Sequence, residues 1–426
     1  MQLNLPSFGI LTPKQQELVN ATLTLNNPYL LVKWYGGSWK TVVAYHRALK
    51  MQENNKKVLF LCYGKALKKI LDICREDSNT YYDATSEQFI FNIDSFYGKI
   101  HSKLITEIRD TNRFILCQKE DLIWDQMTLV EKADIENEAE SIPMDFDGWY
   151  FEIYDRNKDR PYLCYTKNNQ KIYETKWFGN TQKSDFLHIL FSRYQENVWW
   201  YDEIIIDEAQ DLSPDWLESL KLLTKTMSIF FDENQIIFSW EGTGINSMES
   251  IFWTTTEELK EIKRCSKEIC EFAAKYFLPP EETSKLLKQN ENNISYPGSY
   301  PEILEFNQDE EWENAIYDRM LGGSLILLSS IEEVDKIYTF LQRKGVNHLW
   351  KYHNKENSSD FRQEHMITTY ESAKWLEADS VFVVITKQDY ENRRNAPEWS
   401  KEKNKFYVLS SRAKKHLYII FTYKDE

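Results

Sequence analysis

Ile204-Ile205-Ile206-Asp207-Glu208-Ala209-Gln210-Asp211 is the stretch whose reading decides the fold. The isoleucine run has the character of a buried strand, so two adjacent carboxylates fall where that strand ends. Carboxylates placed there can hold Mg2+ and polarise a water. Taken alone, the same residues also read as the acidic start of a helix, which the helix dipole favours. Upstream, the apolar run Tyr29-Leu30-Leu31-Val32 leads into the loop Trp34-Tyr35-Gly36-Gly37-Ser38-Trp39-Lys40-Thr41. A phosphate-binding loop closes backbone N–H groups around phosphate oxygens, while a lysine reaches the β- and γ-phosphates and a hydroxyl takes the Mg2+. Gly36, Gly37, Ser38, Lys40 and Thr41 suit that task, but Trp34 and Trp39 occupy the two positions where the pattern has glycine. By itself this segment also reads as a strand-to-helix turn carrying a lysine.

Composition narrows the class of protein. A chain of 426 residues, 42% apolar and 28% charged, is long enough for two or more cores. Its N-terminus lacks a basic stretch followed by an apolar one, and no run approaches the 18 or so apolar residues that span a bilayer, so no membrane association and a cytoplasmic address are expected. Six cysteines are scattered without a Cys-x-x-Cys pair, which points to reduced packing residues rather than a zinc site or a disulfide framework. A net charge of −15 argues against a broadly basic surface, although a narrow basic groove is compatible with it. Glycine is scarce, with 13 residues against 14 tryptophans, which makes tryptophan at glycine positions notable.

Strand-like and helix-like segments alternate. Thr12 and Pro13 mark a helix start, the apolar run from Tyr29 to Val32 is a strand, and Thr41 to Met51 has helical character. Val58 to Cys62, Phe89 to Ile93, Ile204 to Ile206 and Ser228 to Phe231 read as further strands, with helices over Ala66 to Cys74 and Pro214 to Thr224. This rhythm predicts an α/β fold with parallel sheets. It degrades between 104 and 185, which reads as an inserted subdomain. A first core over 1–103 and 186–253 and a second over 254–426 are therefore expected, the latter with strands at Ser324 to Leu328, Ser380 to Ile385 and Leu417 to Thr422.

Further motifs stand in a fixed order along the chain. They are Leu11-Thr12-Pro13-Lys14-Gln15, Val58 to Leu67, Ser95-Phe96-Tyr97, Phe231 to Trp240, Ile262-Lys263-Arg264, Thr369 to Glu377 and Tyr407 to Lys415. Together with the two segments above, this series resembles superfamily 1 helicases of the UvrD/Rep kind, in a short form. The resemblance implies two RecA-like P-loop NTPase cores with a small inserted subdomain, and an ATP-dependent helicase or translocase that uses ATP and Mg2+ on single-stranded or duplex DNA.

Residue by residue, the resemblance implies adenine recognition by Gln15, nucleotide contacts by Gly36, Gly37, Ser38, Lys40, Thr41 and Glu377, and metal binding by Thr41 and Asp207. Glu208 would activate the attacking water and Gln235 would sense the γ-phosphate. Arg264 and Arg412 would reach the phosphates from the second core. Phe96, Trp240 and Thr369 would touch nucleic acid; Trp240 also reads as a buried core aromatic. A third tryptophan, Trp375, stands at a glycine position of the Thr369 to Glu377 motif. Glycine at such positions supplies positive φ or close backbone approach, and a larger residue there costs roughly 1–3 kcal/mol. A second reading therefore stands beside the first: a pseudo-ATPase with a nucleotide-poor cleft, acting as a binding or regulatory subunit. A third is an NTPase switch that never unwinds. Short members of this family often work beside a nuclease in repair or antiphage systems, so a nuclease partner is an expectation at family level.

Overall fold

The computed structural model describes residues 6–35, 39–62, 90–93, 201–221, 223–236, 243–259, 261–262, 265–290, 298–306, 308–320, 322–352, 364–397 and 400–422, with Lys68, Leu71 and Phe96. It also describes the backbone of five strands within 113–175. Gly36, Gly37, Ser38, Trp240, Arg264, the expected helix from Ala66 to Cys74 apart from Lys68 and Leu71, and Ser95 and Tyr97 lie outside the described residues.

The chain opens with α1 (Pro13–Asn20), β1 (Tyr29–Trp34), α2 (Lys40–Glu53), β2 (Val58–Cys62) and β3 (Ile90–Asn92). α1 begins as its sequence dictates. The Thr12 hydroxyl accepts from the Gln15 N–H at 3.4 Å, the Gln15 side-chain oxygen accepts from the Thr12 N–H at 2.9 Å, and Pro13 takes the first turn, where a missing N–H costs nothing. The intervening segment carries β4 (Arg113–Gln118), β5 (Thr128–Glu131), β6 (Gly148–Glu152), β7 (Tyr162–Lys167) and β8 (Gln170–Thr175). These five form an antiparallel sheet in the order β5-β4-β6-β7-β8, separate from the parallel sheets on either side of it in the chain.

The first parallel sheet resumes with β9 (Glu203–Asp207), α3 (Pro214–Lys221), β10 (Met227–Phe231), α4 (Ile245–Phe252) and β11 (Thr256–Leu259). Its order is β11-β1-β10-β9-β2-β3, all neighbours parallel. β11 hydrogen-bonds alongside β1, so the first sheet extends past residue 253, where the sequence suggests a boundary. Its short pattern, Thr-Glu-Glu-Leu, suits an edge strand with polar residues to solvent and one buried leucine.

The rest of the chain builds a second sheet. Its elements are α5 (Lys267–Phe277), α6 (Pro280–Asn290), β12 (Glu302–Glu305), α7 (Asp309–Arg319), β13 (Ser324–Leu328), α8 (Ile331–Arg343), β14 (Leu349–Tyr352), β15 (His365–Thr369), β16 (Ala378–Thr386), α9 (Lys387–Arg394), α10 (Lys401–Ser410) and β17 (Ala413–Thr422). The order β12-β17-β16-β13-β15-β14 is parallel throughout. One face packs on α5, α6 and α10 through Phe272, Phe277, Phe406 and Leu417; the other packs on α7 and α8 through Trp312, Ile337 and Phe382. Gly298 lets the chain pass against the N-cap of α5: a Cβ there would lie 2.3 Å from the Ser266 Cβ. Two parallel sheets flanked by helices constitute two RecA-like cores.

Trp34 departs from its expected place in the phosphate loop. It is the last residue of β1, paired with Leu259, and has no exposed surface. Strand alternation sends Val32 and Trp34 to the same face, where α1 and α2 cover them, and the indole tilts against Phe230 with ring centroids 6.3 Å apart. It fills a core rather than the cleft.

Candidate active site

A parallel sheet collects its loops at the carboxyl ends of its strands, where ligands of such folds bind. β1, β10 and β9 are neighbours, so the turns after Trp34, Phe231 and Asp207 lie side by side. Lys40 is the first residue of α2 and Thr41 the second. The Lys40 ammonium lies 2.7 Å from Glu208 Oε1 and 3.8 Å from Asp207 Oδ1, and the Thr41 hydroxyl donates to Asp207 Oδ2 at 2.6 Å. The four side chains that the two opening segments put forward therefore meet.

Two residues here hold unusual backbone. Glu208 has φ 61° and ψ 40°, and Trp39 has φ 63° and ψ 31°, both in the left-handed region that costs a side chain with Cβ roughly 1–3 kcal/mol. For Glu208 the turn projects the carboxylate away from the strand line toward Lys40. For Trp39 it is the conformation a glycine before the lysine would adopt freely. The Trp39 indole is partly buried and leans on the hydrophobic core of the first sheet.

The carboxylates are supported from behind. Gln210 donates to Glu208 Oε2 at 2.5 Å while its oxygen accepts the Asp232 N–H at 3.0 Å, so one amide joins the ends of β9 and β10. Gln235 donates to Asp232 Oδ2 at 2.7 Å. Burial pushes Asp207 up to about 6, against the pull of Lys40 and with Glu208 adding to the rise. Burial works the same way on Glu208, but the charges of Lys40 and Lys374 outweigh it and hold that carboxyl well below its ordinary range. Burial opposes the charge on Lys40, and Glu208, Asp207 and Asp232 override it and raise the lysine. Asp211 and Asp232, both buried, are also raised to about 6.

Groups from the second sheet reach this cluster. Lys374, in the 3-10 turn Glu371–Trp375 after β15, donates to Asp211 Oδ2 at 2.5 Å and to the Gln235 carbonyl at 2.9 Å, and lies 3.4 Å from Glu208 Oε2. Arg412 donates to the Lys374 carbonyl, to the Val408 carbonyl at 3.0 Å and to Ser411 Oγ at 3.0 Å. Its guanidinium is thus held inside the second core, on the main chain of the lysine whose ammonium approaches Glu208. Asn404 of α10 donates to the Ile236 carbonyl at 3.2 Å.

The sequence-level candidates divide accordingly. Lys40, Thr41, Asp207, Glu208, Gln235 and Arg412 gather at or beside the seam between the sheets. Gln15 is fully buried and its oxygen caps α1. Glu377 pairs with Lys414 at 2.8 Å. Thr369 donates to Ser372 Oγ at 3.3 Å. Phe96 has no exposed surface and packs on Phe91, centroids 5.9 Å apart, which keeps its ring away from any ligand in this conformation. The side chain of Trp375 is outside the described atoms.

Sequence reasoning missed Lys374, Asp211, Asp232 and Arg47. Arg47 is a fully buried tie: it makes paired contacts to Glu203 at 2.6 and 3.0 Å and donates to the Leu18, Val19 and Ala21 carbonyls, fastening the end of α1 to β9. Lys374, Asp211 and Asp232 all lie inside motifs already singled out, so the available signal was a charged side chain within each of those motifs.

Residues 12–252, more than half of the chain, match the UvrD/REP helicase N-terminal domain. A solved structure, the C-terminal domain of a possible DNA helicase from Lactobacillus plantarum WCFS1, matches at 17% identity over 38% of this chain and 87% of that one, with a TM-score of 0.28. No curated protein matches the chain. Among the described residues no helix is long and apolar enough to cross a membrane, and no group of three or more His, Cys, Asp or Glu could hold a metal unaided.

Proposed function

Because the chain belongs to the UvrD/REP helicase family, we propose that it is a nucleic-acid-dependent ATPase that takes ATP between its two cores and moves along single-stranded DNA. The observation that carries this reading is the meeting of Lys40 and Thr41 with Asp207 and Glu208, within reach of Lys374 from the second core.

Thr41 Oγ1 and Asp207 Oδ2, hard oxygens 2.6 Å apart, suit Mg2+, whose other ligands would be water and phosphate oxygens. Mg2+ held there supplies charge that offsets what develops on a transferring phosphoryl group. The Lys40 ammonium, now against Glu208, turns toward the β- and γ-phosphates when nucleotide enters. Its departure removes the strongest positive field on Glu208, whose proton affinity rises toward that of a useful base for the attacking water. Arg412 exchanges the Lys374 carbonyl for a phosphate oxygen as the cores close.

The pseudo-ATPase reading draws on Trp39, whose left-handed backbone and indole stand immediately before Lys40. The deciding experiment measures nucleotide binding and phosphate release with and without single-stranded DNA, beside strand displacement, in the native chain and in Glu208→Gln. DNA-stimulated release that disappears in Glu208→Gln while binding persists supports the motor. Nucleotide binding without release in the native chain, restored by Trp39→Gly, supports the pseudo-ATPase, and strong release without strand displacement supports a switch.

A further inference from the structure

Strand alternation at the end of β1 sends Lys33 and Tyr35 to the face opposite Trp34, and both side chains leave the first sheet. The Tyr35 ring is buried as a member of the hydrophobic cluster of the second core, which also holds Ile262, Ile269 and Leu286. Its hydroxyl donates to Glu282 Oε2 of α6 at 2.6 Å. The same carboxylate oxygen lies 3.6 Å from the Lys33 ammonium, which also grips Glu233 Oε1 at 2.5 Å. Glu233 in turn accepts the Ile245 N–H at 3.3 Å and stands two residues before Gln235. At its other end, α6 holds Ile262, whose N–H donates to Asn290 Oδ1 at 2.9 Å.

One short helix of the second core is therefore tied directly to the entrance of the phosphate loop and, through Lys33, to the turn carrying Gln235. We propose that Tyr35 and Glu282 are inter-core positioning residues, a latch in which the phenol is docked in the second core and sets how far the cleft opens before nucleotide arrives. Lys33 passes the state of the latch to Glu233. The pair is buried, with Tyr35 3% and Glu282 7% exposed, so opening must break a hydrogen bond and an ion pair away from water. The proposal rests on the two-core motor reading for its purpose, but the latch is testable without turnover.

The test uses the full chain without nucleotide, as Tyr35→Phe, Glu282→Ala and the double variant. Tyr35→Phe keeps the ring and removes only the hydroxyl. Amide hydrogen exchange should speed up at least tenfold in residues 29–35 and 280–290 in each single variant, with β16 and β17 unchanged, and the radius of gyration from solution scattering should rise. The double variant should exchange no faster than Glu282→Ala, because one interaction has been removed twice. Where the native chain hydrolyses ATP, the variants should raise KM at least fivefold with kcat within twofold. Unchanged exchange in Tyr35→Phe, or additive effects in the double variant, would overturn the latch. An absence of turnover in the native chain would count against the motor and leave the exchange result to decide the latch.

Discussion

At the residue scale, the three tryptophans that the resemblance sets at glycine positions are not equivalent. Trp34 is a strand residue in a core, so Trp34→Gly should leave a large cavity and cost about 3–5 kcal/mol, measured by urea unfolding. Trp39 sits at φ 63°, where glycine is unstrained. Trp39→Gly should change stability by less than about 1.5 kcal/mol, since roughly 1–3 kcal/mol of backbone strain is relieved as the indole's packing is lost. It should also tighten binding of a fluorescent ATP analogue about tenfold, a gain Trp34→Gly would not show. Titration provides a second prediction at this scale. Asp207, Asp211 and Asp232 have folded values of about 6, above their ordinary 3.8, so the native state favours their protonated forms. The stability they contribute is complete below about 4 and lost as pH rises through 6. Glu208, held low, acts oppositely and loses its contribution as pH falls below its ordinary 4.5. Unfolding free energy without nucleotide should thus rise from pH 7.5 to about 5 and fall again below 4, and a monotonic decline on acidification would contradict the assignment.

At the scale of elements, the turn Glu371–Trp375 acts as an arm that brings one lysine to three acceptors of the first core. Removing one member of a buried charged group leaves the others unsolvated and costs about 3–5 kcal/mol. Lys374→Met should show a loss of that size at pH 7.5 and a smaller one at pH 5.5, because Asp211 then carries a proton; equal losses would mean the lysine matters for packing alone. Most elements were legible in the sequence. Val58–Cys62 and Ser324–Leu328 match their apolar runs residue for residue, because strands buried on both faces have no polar alternation to blur their ends. The capped start of α1 was legible for the same local reason. β11 was not, since Thr-Glu-Glu-Leu becomes a strand only by pairing with β1. Lys40, Thr41, Asp207 and Glu208 could be read from their motifs, whereas Lys33, Tyr35, Glu282 and Lys374 acquire meaning only when distant segments meet.

At the scale of the molecule, polar groups tie the two cores together among the described residues: Tyr35 to Glu282, Lys374 to Asp211, and Asn404 to the Ile236 carbonyl. Such contacts are directional and break one at a time, which would suit cores that separate and close in each cycle of the proposed function. Arg412 is the group whose partner would have to change under the proposed function. In this conformation its guanidinium bonds two carbonyls and a hydroxyl of its own core, so on that reading it would add to phosphate binding only after closure redirects it. Under the proposed function, Arg412→Ala should leave the dissociation constant for ATP within about threefold, because Lys40 and Thr41 of the first core still hold the phosphates. Single-turnover hydrolysis should fall about 10³-fold, the scale of losing an arginine that stabilises a transferring phosphoryl group. A tenfold or greater loss of ATP affinity in Arg412→Ala would place this arginine in ground-state binding and remove closure as the step that commits the site to chemistry.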